Sequence, residues 1–306
     1  MGSIATTPVT RNITAIAMMI LSMGLFALDD SFIKLAAQEI NVGQVILLQT
    51  LIAAVVFAAL TRLSGDPIWT RAYFARPIVV RNAGEVLGVV CFVTALALMP
   101  LSTASAILQA QPLVVTLGAA LFLGEKVGWR RWSAVMIGFF GVIIIVRPGM
   151  AGFTPAALLA VAAVVGLAMR DLATRRVETG VSTMQLSTLA SLVILPPAFI
   201  MMIAYGGWSP MSTTTMLYVL GAATAGMMAY YAITLSLRIG ELSVIAPFRY
   251  SRLLFALILG FVLFDERPDI PMMIGSALII GTGIYAFYRE RVRARIAAGA
   301  VIEGQN

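Results

Sequence analysis

The chain is predicted to be an all-α integral membrane protein, with ten transmembrane helices arranged as two inverted five-helix repeats. Three observations predict this. Apolar residues make up 60 % of the 306 residues and charged residues only 11 %, against about 25 % charge in an ordinary soluble domain. The apolar residues fall in ten long stretches, and a hydrocarbon core about 30 Å thick needs roughly 20 apolar residues of helix. The second half of the sequence also repeats polar landmarks of the first.

The spans are placed at 13–36, 43–62, 78–98, 103–123, 130–147, 154–173, 184–204, 213–237, 243–263 and 271–288. Helix is required over loop, because unpaired backbone groups find no water inside lipid. A turn of a few residues, Met99 to Ser102, joins the third and fourth spans, so these neighbours are antiparallel. Pro112 sits inside the fourth span, Pro196-Pro197 inside the seventh and Pro247 in the first turns of the ninth. Each frees a carbonyl and favours a bend, either as a moving part or as a static aid to packing. Thr154-Pro155 opens the sixth span and Asp269 precedes Pro271 in the tenth, both in the pattern of a helix cap followed by proline in the first turn. Residues 1–149 form the first repeat and 150–288 the second; 289–306 read as a basic, then polar, disordered cytoplasmic tail.

Orientation follows from charge. With the N-terminus placed inside, the inner segments carry 16 of the 21 basic residues, and the outer ones only Lys34, Arg147 and Arg267. The positive-inside rule then puts both termini in the cytoplasm, at the inner membrane. The basic balance therefore reflects membrane lipid, and no nucleic-acid partner is expected. The lone Cys91 forms no intrachain disulfide. Without histidine or a cysteine cluster, no metal or other cofactor is expected. No signal-peptide cleavage pattern is present. The opening Met-Gly-Ser-Ile-Ala-Thr matches the loose myristoylation pattern, which a ten-span protein does not need.

The repeat has an offset of 141 residues. Ala27–Lys34 falls on Ala168–Arg175, with Asp30 on Asp171 and Lys34 on Arg175. Gln44 falls on Gln185, Leu101-Ser102 on Leu242-Ser243, and Gly124-Glu125-Lys126 on Asp265-Glu266-Arg267. Five helices per half is an odd number, so the second half is inverted. Inverted repeats are a transporter architecture with the substrate near the midplane.

Residues Ala95 to Gly149 (ALALMPLSTASAILQAQPLVVTLGAALFLGEKVGWRRWSAVMIGFFGVIIIVRPG) resemble the EamA-type signature of the drug/metabolite transporter superfamily. The resembling parts are the "AL…P" end of the third span, Pro112, the "LGE" turn at Leu123 to Glu125 and the "G…G" of the fifth span; Phe264-Asp265-Glu266 repeats the turn more loosely. The resemblance implies ten helices, two five-helix repeats and transport of small metabolites. More narrowly, the chain is similar to YddG-type bacterial amino-acid exporters, which implies export of amino acids, aromatic ones among them. Many relatives carry an arginine in the second span where this chain has Gln49, so no role of that arginine passes to this chain.

Polar groups inside the spans nominate a site, since a charge at the bilayer centre costs about 2.5–3.5 kcal/mol on insertion scales. Glu85 lies about seven residues into the third span, roughly 10 Å deep, with Asn82 one turn away. Arg249 and Arg252 lie at a similar level of the ninth span, and Tyr230 and Tyr231 approach it on the eighth. These form a cytoplasmic-side layer in which Glu85 is expected beside Arg249 or Arg252. An outer layer holds Gln49, Gln109 and Gln111, with Asp29 and Asp30 approaching it. The repeat pairs Gln109 with Tyr250 and Gln111 with Arg252. Each group also has a plainer reading: Glu85 with an arginine as a helix lock, Arg249 snorkelling to the surface, the glutamines as interhelical glue, and Asp29 and Asp30 as interfacial, Asp29 above all. Gly84-x-x-x-Gly88 and Gly221 to Gly226 read as close-packing surfaces, and Glu125 and Glu266 as turns.

The expected function is a secondary carrier of a small, amino-acid-like solute working by alternating access. No GxxxxGK[ST] loop is present, and no segment outside the membrane is large enough for an enzyme domain. A carrier of another solute class, a channel and an intramembrane enzyme are the alternatives. Asp30 is the proton-coupling candidate, with facilitated exchange preferred. The carrier is expected to work as a monomer, with a dimer left open.

Overall fold

The computed structural model describes residues 8–122, 124, 128–150, 152–174, 176–177, 181–239 and 242–303, and every regular element among them is helical. The first half holds α1 (Pro8–Ala36), α2 (Val42–Leu63), α3 (Arg76–Leu98), α4 (Leu101–Leu108), α5 (Gln111–Phe122) and α6 (Trp129–Val146). The second holds α7 (Ala156–Thr174), α8 (Thr183–Ala204), α9 (Thr213–Ile239), α10 (Leu242–Ile245), α11 (Ser251–Phe264) and α12 (Ile270–Glu303). Short 3-10 turns lie at Arg71–Phe74 and Ala246–Tyr250.

Eight of the predicted spans are helical stretches long and apolar enough to cross a membrane, and two, Trp132–Val146 and Ile270–Ala286, are shorter. The fourth and ninth spans, expected as continuous helices, are both broken. Pro112 has no N–H to give Leu108 and its ring crowds that carbonyl, so α4 ends and α5 begins afresh. Pro247 acts likewise between α10 and α11. By contrast, α8 runs unbroken through Pro196-Pro197, because neighbouring helices re-satisfy a proline site within lipid. The expected disordered tail is corrected too: α12 continues to Glu303. Its run of Arg, Ala and Glu residues is strongly helix-forming and contains no proline.

Packing interleaves the two halves. Helix α1 lies along α9 and α3 along α7, while α2 packs on α8 and α6 on α12. At the 141-residue offset α1 corresponds to α7 and α3 to α9. The first two contacts are therefore one contact made twice, and the last two join equivalent helices. Small residues bring the backbones together. A Cβ at Gly84 would stand 2.6 Å from the Gly166 carbonyl oxygen, and one at Gly166 would stand 2.7 Å from the Gly88 nitrogen. Gly221 and Gly226 do the same for α9 against Phe32 and Asp29 of α1.

The ends of the bundle repeat as well. Gln44 Nε2 donates to the Ser209 carbonyl at 2.9 Å, and Gln185 Nε2 donates to the Pro67 carbonyl at 2.9 Å. Each of these repeat-related glutamines grips the loop after the second helix of the other half. Asp269 caps α12 as expected, accepting from the Met272 N–H at 2.9 Å. Glu266 accepts from the Leu101 and Ser102 N–H groups at 2.7 and 3.0 Å, so the far half supplies the cap of α4. Lys34 donates to the Leu96 carbonyl at the end of α3 and lies 3.7 Å from Glu266. This clasp holds the Met99-Pro100 turn.

Candidate functional site

The first polar cluster joins α1, α2 and α11. Arg252 forms a two-pronged ion pair with Asp30: Nη2 donates to Oδ1 at 2.9 Å and to Oδ2 at 2.7 Å, and Nε donates to Oδ2 at 3.2 Å. The planar guanidinium matches the carboxylate and also lies 5.0 and 5.6 Å from the ring centroids of Phe26 and Phe92. Phe26 stands one turn before Asp30, so α1 supplies both the anion and a ring. Asp29, adjacent and buried, accepts a 2.8 Å bond at Oδ1 from Gln49 Nε2.

The second cluster joins α3, α5 and α7. Gln111 Nε2 donates to Asp171 Oδ2 at 2.7 Å, and Arg170 Nε donates to Asp171 Oδ1 at 3.0 Å. Arg170 Nη1 also reaches Glu85 Oε1 at 3.2 Å. Arg81 completes the chain, 3.6 Å from Glu85 and 3.1 Å from the Asn82 side-chain oxygen. At the 141-residue offset Asp171 matches Asp30, and Gln111 matches Arg252. Both clusters thus join an aspartate on the first helix of one half to the broken helix of the other.

Between them the two breaks touch. Gln109 Nε2 donates to the Tyr250 carbonyl at 3.1 Å and to the Arg249 carbonyl at 3.4 Å. Gln109 therefore serves carbonyls at the end of the 3-10 turn, and it bonds its own repeat counterpart, Tyr250. The two halves thus meet here through equivalent positions. The Tyr250 ring packs on Gly283, where any side chain would collide with its hydroxyl. Arg249 is partly buried on the same turn. Its guanidinium makes no hydrogen bond and no ion pair among the described residues, while the charges of Asp171, Arg170 and Arg252 act on it.

The predicted layers are regrouped by this geometry. Glu85 pairs with Arg81 and Arg170, not with Arg249 or Arg252, and Arg252 crosses to Asp30. Depth along a helix gives the level of a side chain but not its azimuth, and α3 faces α7 while α11 faces α1. Gln49, Gln109 and Gln111 all reach the site; Asn82 reaches it through Arg81. Tyr230 does not: its hydroxyl accepts from Ser187 at 3.1 Å, and its ring lies edge-on to Phe57. Tyr231 is 65 % exposed on the outer surface of the bundle. Glu125 and Leu123 of the signature turn lie outside the described residues. Arg170 and Asp171 were missed as site residues, although the alignment of Asp171 with Asp30 marked them. Nothing in the sequence singled out Phe26 or Phe92.

Comparison with known proteins follows the same division into halves. The model of the EamA-like transporter family matches residues 13–147 and again 154–289. A riboflavin transporter of Rhizobium johnstonii is 31 % identical over 68 % of this chain and 69 % of its own. An S-adenosylmethionine uptake transporter of Rickettsia bellii is 27 % identical over 71 % of this chain and 75 % of its own. A pseudopaline exporter of Pseudomonas aeruginosa is 20 % identical over 87 % of this chain and 93 % of its own. A solved crystal structure superposes with a TM-score of 0.63 at 19 % identity, covering 92 % of this chain and 99 % of that one, which shows the fold alone. None of these names is that of a YddG-type amino-acid exporter.

Proposed function

This chain belongs to the EamA-like transporter family and is a multi-pass membrane transporter; we propose that it carries a zwitterionic amino-acid derivative bearing a flat ring, a solute of the S-adenosylmethionine kind, across the inner membrane. The observation that carries this reading is Arg249. It is a guanidinium within a bilayer-spanning bundle, on a broken turn between two polar clusters, and without an ion-pair partner among the described residues. An intramembrane charge is retained for a function, and a planar guanidinium suits a carboxylate. The first cluster supplies the opposite sign for an ammonium or sulfonium, through Asp29 and Asp30, and the Phe26 and Phe92 rings for a heterocycle. The named S-adenosylmethionine relatives transport a solute with all three features.

Ten spans in two inverted repeats, with both termini cytoplasmic, remain the supported arrangement. Reciprocal packing of the halves and the 16 inward basic residues support it. The α4/α5 and α10/α11 breaks would be the hinges of alternating access, since discontinuous helices at a repeat interface place a binding site near the midplane. The first cluster would then lie toward the outside and the second toward the cytoplasm. A pair that parts on one side while the other stays joined would expose the site to one face at a time.

A second reading, an uncharged flavin, is favoured by the 31 % identity to a riboflavin transporter. Uptake into proteoliposomes of S-adenosylmethionine, phenylalanine and riboflavin separates the two. S-adenosylmethionine uptake should be saturable and fall at least tenfold, about 1.4 kcal/mol, in Arg249→Gln. Riboflavin uptake indifferent to Arg249→Gln, with none of S-adenosylmethionine, would establish the flavin reading instead.

A further inference from the structure

The first cluster holds two carboxylates and one arginine. Arg252 places both prongs on Asp30, which leaves Asp29 without an ion pair among the described residues. The Asp29 side chain is nine-tenths buried, and its bond from Gln49 uses Oδ1. No described residue donates to Oδ2, which faces Gly226 and lies 2.9 Å from where a Cβ on that residue would stand.

Among the described residues no other charge pairs with it. On α1 itself Lys34 is held by carbonyls at the end of α3 and by Glu266. Helix α2 contributes Gln49, α9 contributes Gly226, and α11 contributes Arg252. Helix α3 presents Phe92 near the pair, while its Glu85 is bound by Arg81 and Arg170. The turn 246–250 carries Arg249 and Tyr250, and α4 and α10 carry no acid or base. An ionised carboxylate beside a second one in this medium is a surplus that something must satisfy.

We propose that Asp29 is a proton site, and that a proton and the cationic group of the solute occupy its carboxylate in turn. When the solute arrives the Asp29 O–H bond breaks and the proton passes to water on the side to which the path is open. The carboxylate left behind pairs with the ammonium or sulfonium. When the solute leaves, the carboxylate takes a proton back. Asp30, locked to Arg252, is the fixed partner and not the carrier. The exchange half of this proposal rests on the charged-solute reading above; the proton site itself does not.

Infrared difference spectra between acidic and alkaline buffer test the site on purified full-length protein, with no solute present. The wild type should show the C=O stretch of a protonated buried carboxyl. That band should vanish in Asp29→Asn, return displaced in Asp29→Glu, and persist in Glu85→Gln. A band missing from the wild type, or unchanged in Asp29→Asn, overturns the proposal. Proton release on adding S-adenosylmethionine, followed with a pH dye in weak buffer, tests the exchange. The wild type should release a proton per bound solute and Asp29→Asn none, while riboflavin should release none from either. Binding of S-adenosylmethionine without proton release overturns the exchange. Absence of binding sinks the charged-solute reading, and the infrared result then decides the site by itself. The counterflow rate of Asp29→Asn, whatever its level, should no longer vary with pH.

Discussion

The two polar clusters occupy equivalent places in the two halves and differ in how they are neutralised. In the first, two carboxylates, Asp29 and Asp30, stand near the single cation Arg252, which pairs with Asp30 and whose side chain is 16 % exposed. In the second, Glu85 and Asp171 are linked through Arg170 and Arg81, and the place of Arg252 is taken by the uncharged Gln111. The scaffold repeats but the electrostatics do not. One cluster is short of a cation and more buried; the other is balanced and more open, with Arg170 and Asp171 side chains 26 and 28 % exposed. A repeated scaffold thus gives two chemically distinct clusters from one packing plan.

The largest expected effect is Arg252→Gln, which leaves the buried Asp30 carboxylate with no cation. Removing one partner of a buried pair costs about 3–5 kcal/mol, so thermal unfolding in detergent should fall sharply. Asp30→Asn should be milder, because the adjacent Asp29 can give up its proton and pair with Arg252 instead. Equal losses in the two variants would mean that Asp29 does not take over the arginine.

Arg170→Gln comes next. Glu85 keeps Arg81 and Asp171 keeps Gln111, so a loss of about 1–3 kcal/mol is expected. Adding Gln111→Arg to that variant should restore part of the stability by copying the Asp30–Arg252 pair into the second cluster. No recovery would break the equivalence drawn between the two positions.

Gln111→Ala alone removes one interhelical hydrogen bond, commonly worth about 0.6 kcal/mol in membranes. Its effect on unfolding should be close to the resolution of the measurement.

The smallest effect lies outside the membrane. Glu39, in the loop between α1 and α2, accepts bonds from the Thr215 hydroxyl and from the Ser212 hydroxyl and N–H, and these hold its carboxyl below the usual carboxylate range. A depressed folded-state pKa contributes stability above the unfolded value, lost as pH falls through the folded one. Acidification below the ordinary glutamate range should therefore loosen the cap of α9. Glu39→Gln should flatten that part of the pH–stability curve. An unaltered curve would contradict the assignment.

Much of this was legible in the sequence. Hydropathy located eight helical stretches long enough to span and two shorter ones, because lipid admits few alternatives to helix. The 141-residue offset found Asp30 with Asp171 and Gln111 with Arg252, which are the poles of the two clusters. The pairing itself was not legible. It depends on which helix faces which, and α1 meets α9 and α11 across the molecule through Gly221, Gly226 and similar small residues whose partners no local pattern reveals. Tyr230 and Tyr231 show the same limit: they share a level with the site but not a face. Pro112 announced a bend, but not that Gln109 beside the break would donate to the Arg249 and Tyr250 carbonyls of the opposite half.

The account centres on Arg249 as the carboxylate anchor between the two clusters. Counterflow of S-adenosylmethionine in proteoliposomes without a pH gradient or membrane potential, compared across wild type, Arg249→Lys and Arg249→Gln, tests it most directly. The account predicts robust wild-type exchange, partial exchange in Arg249→Lys, and at least a tenfold loss in Arg249→Gln with folded yield retained. Equal exchange in wild type and Arg249→Gln would contradict it.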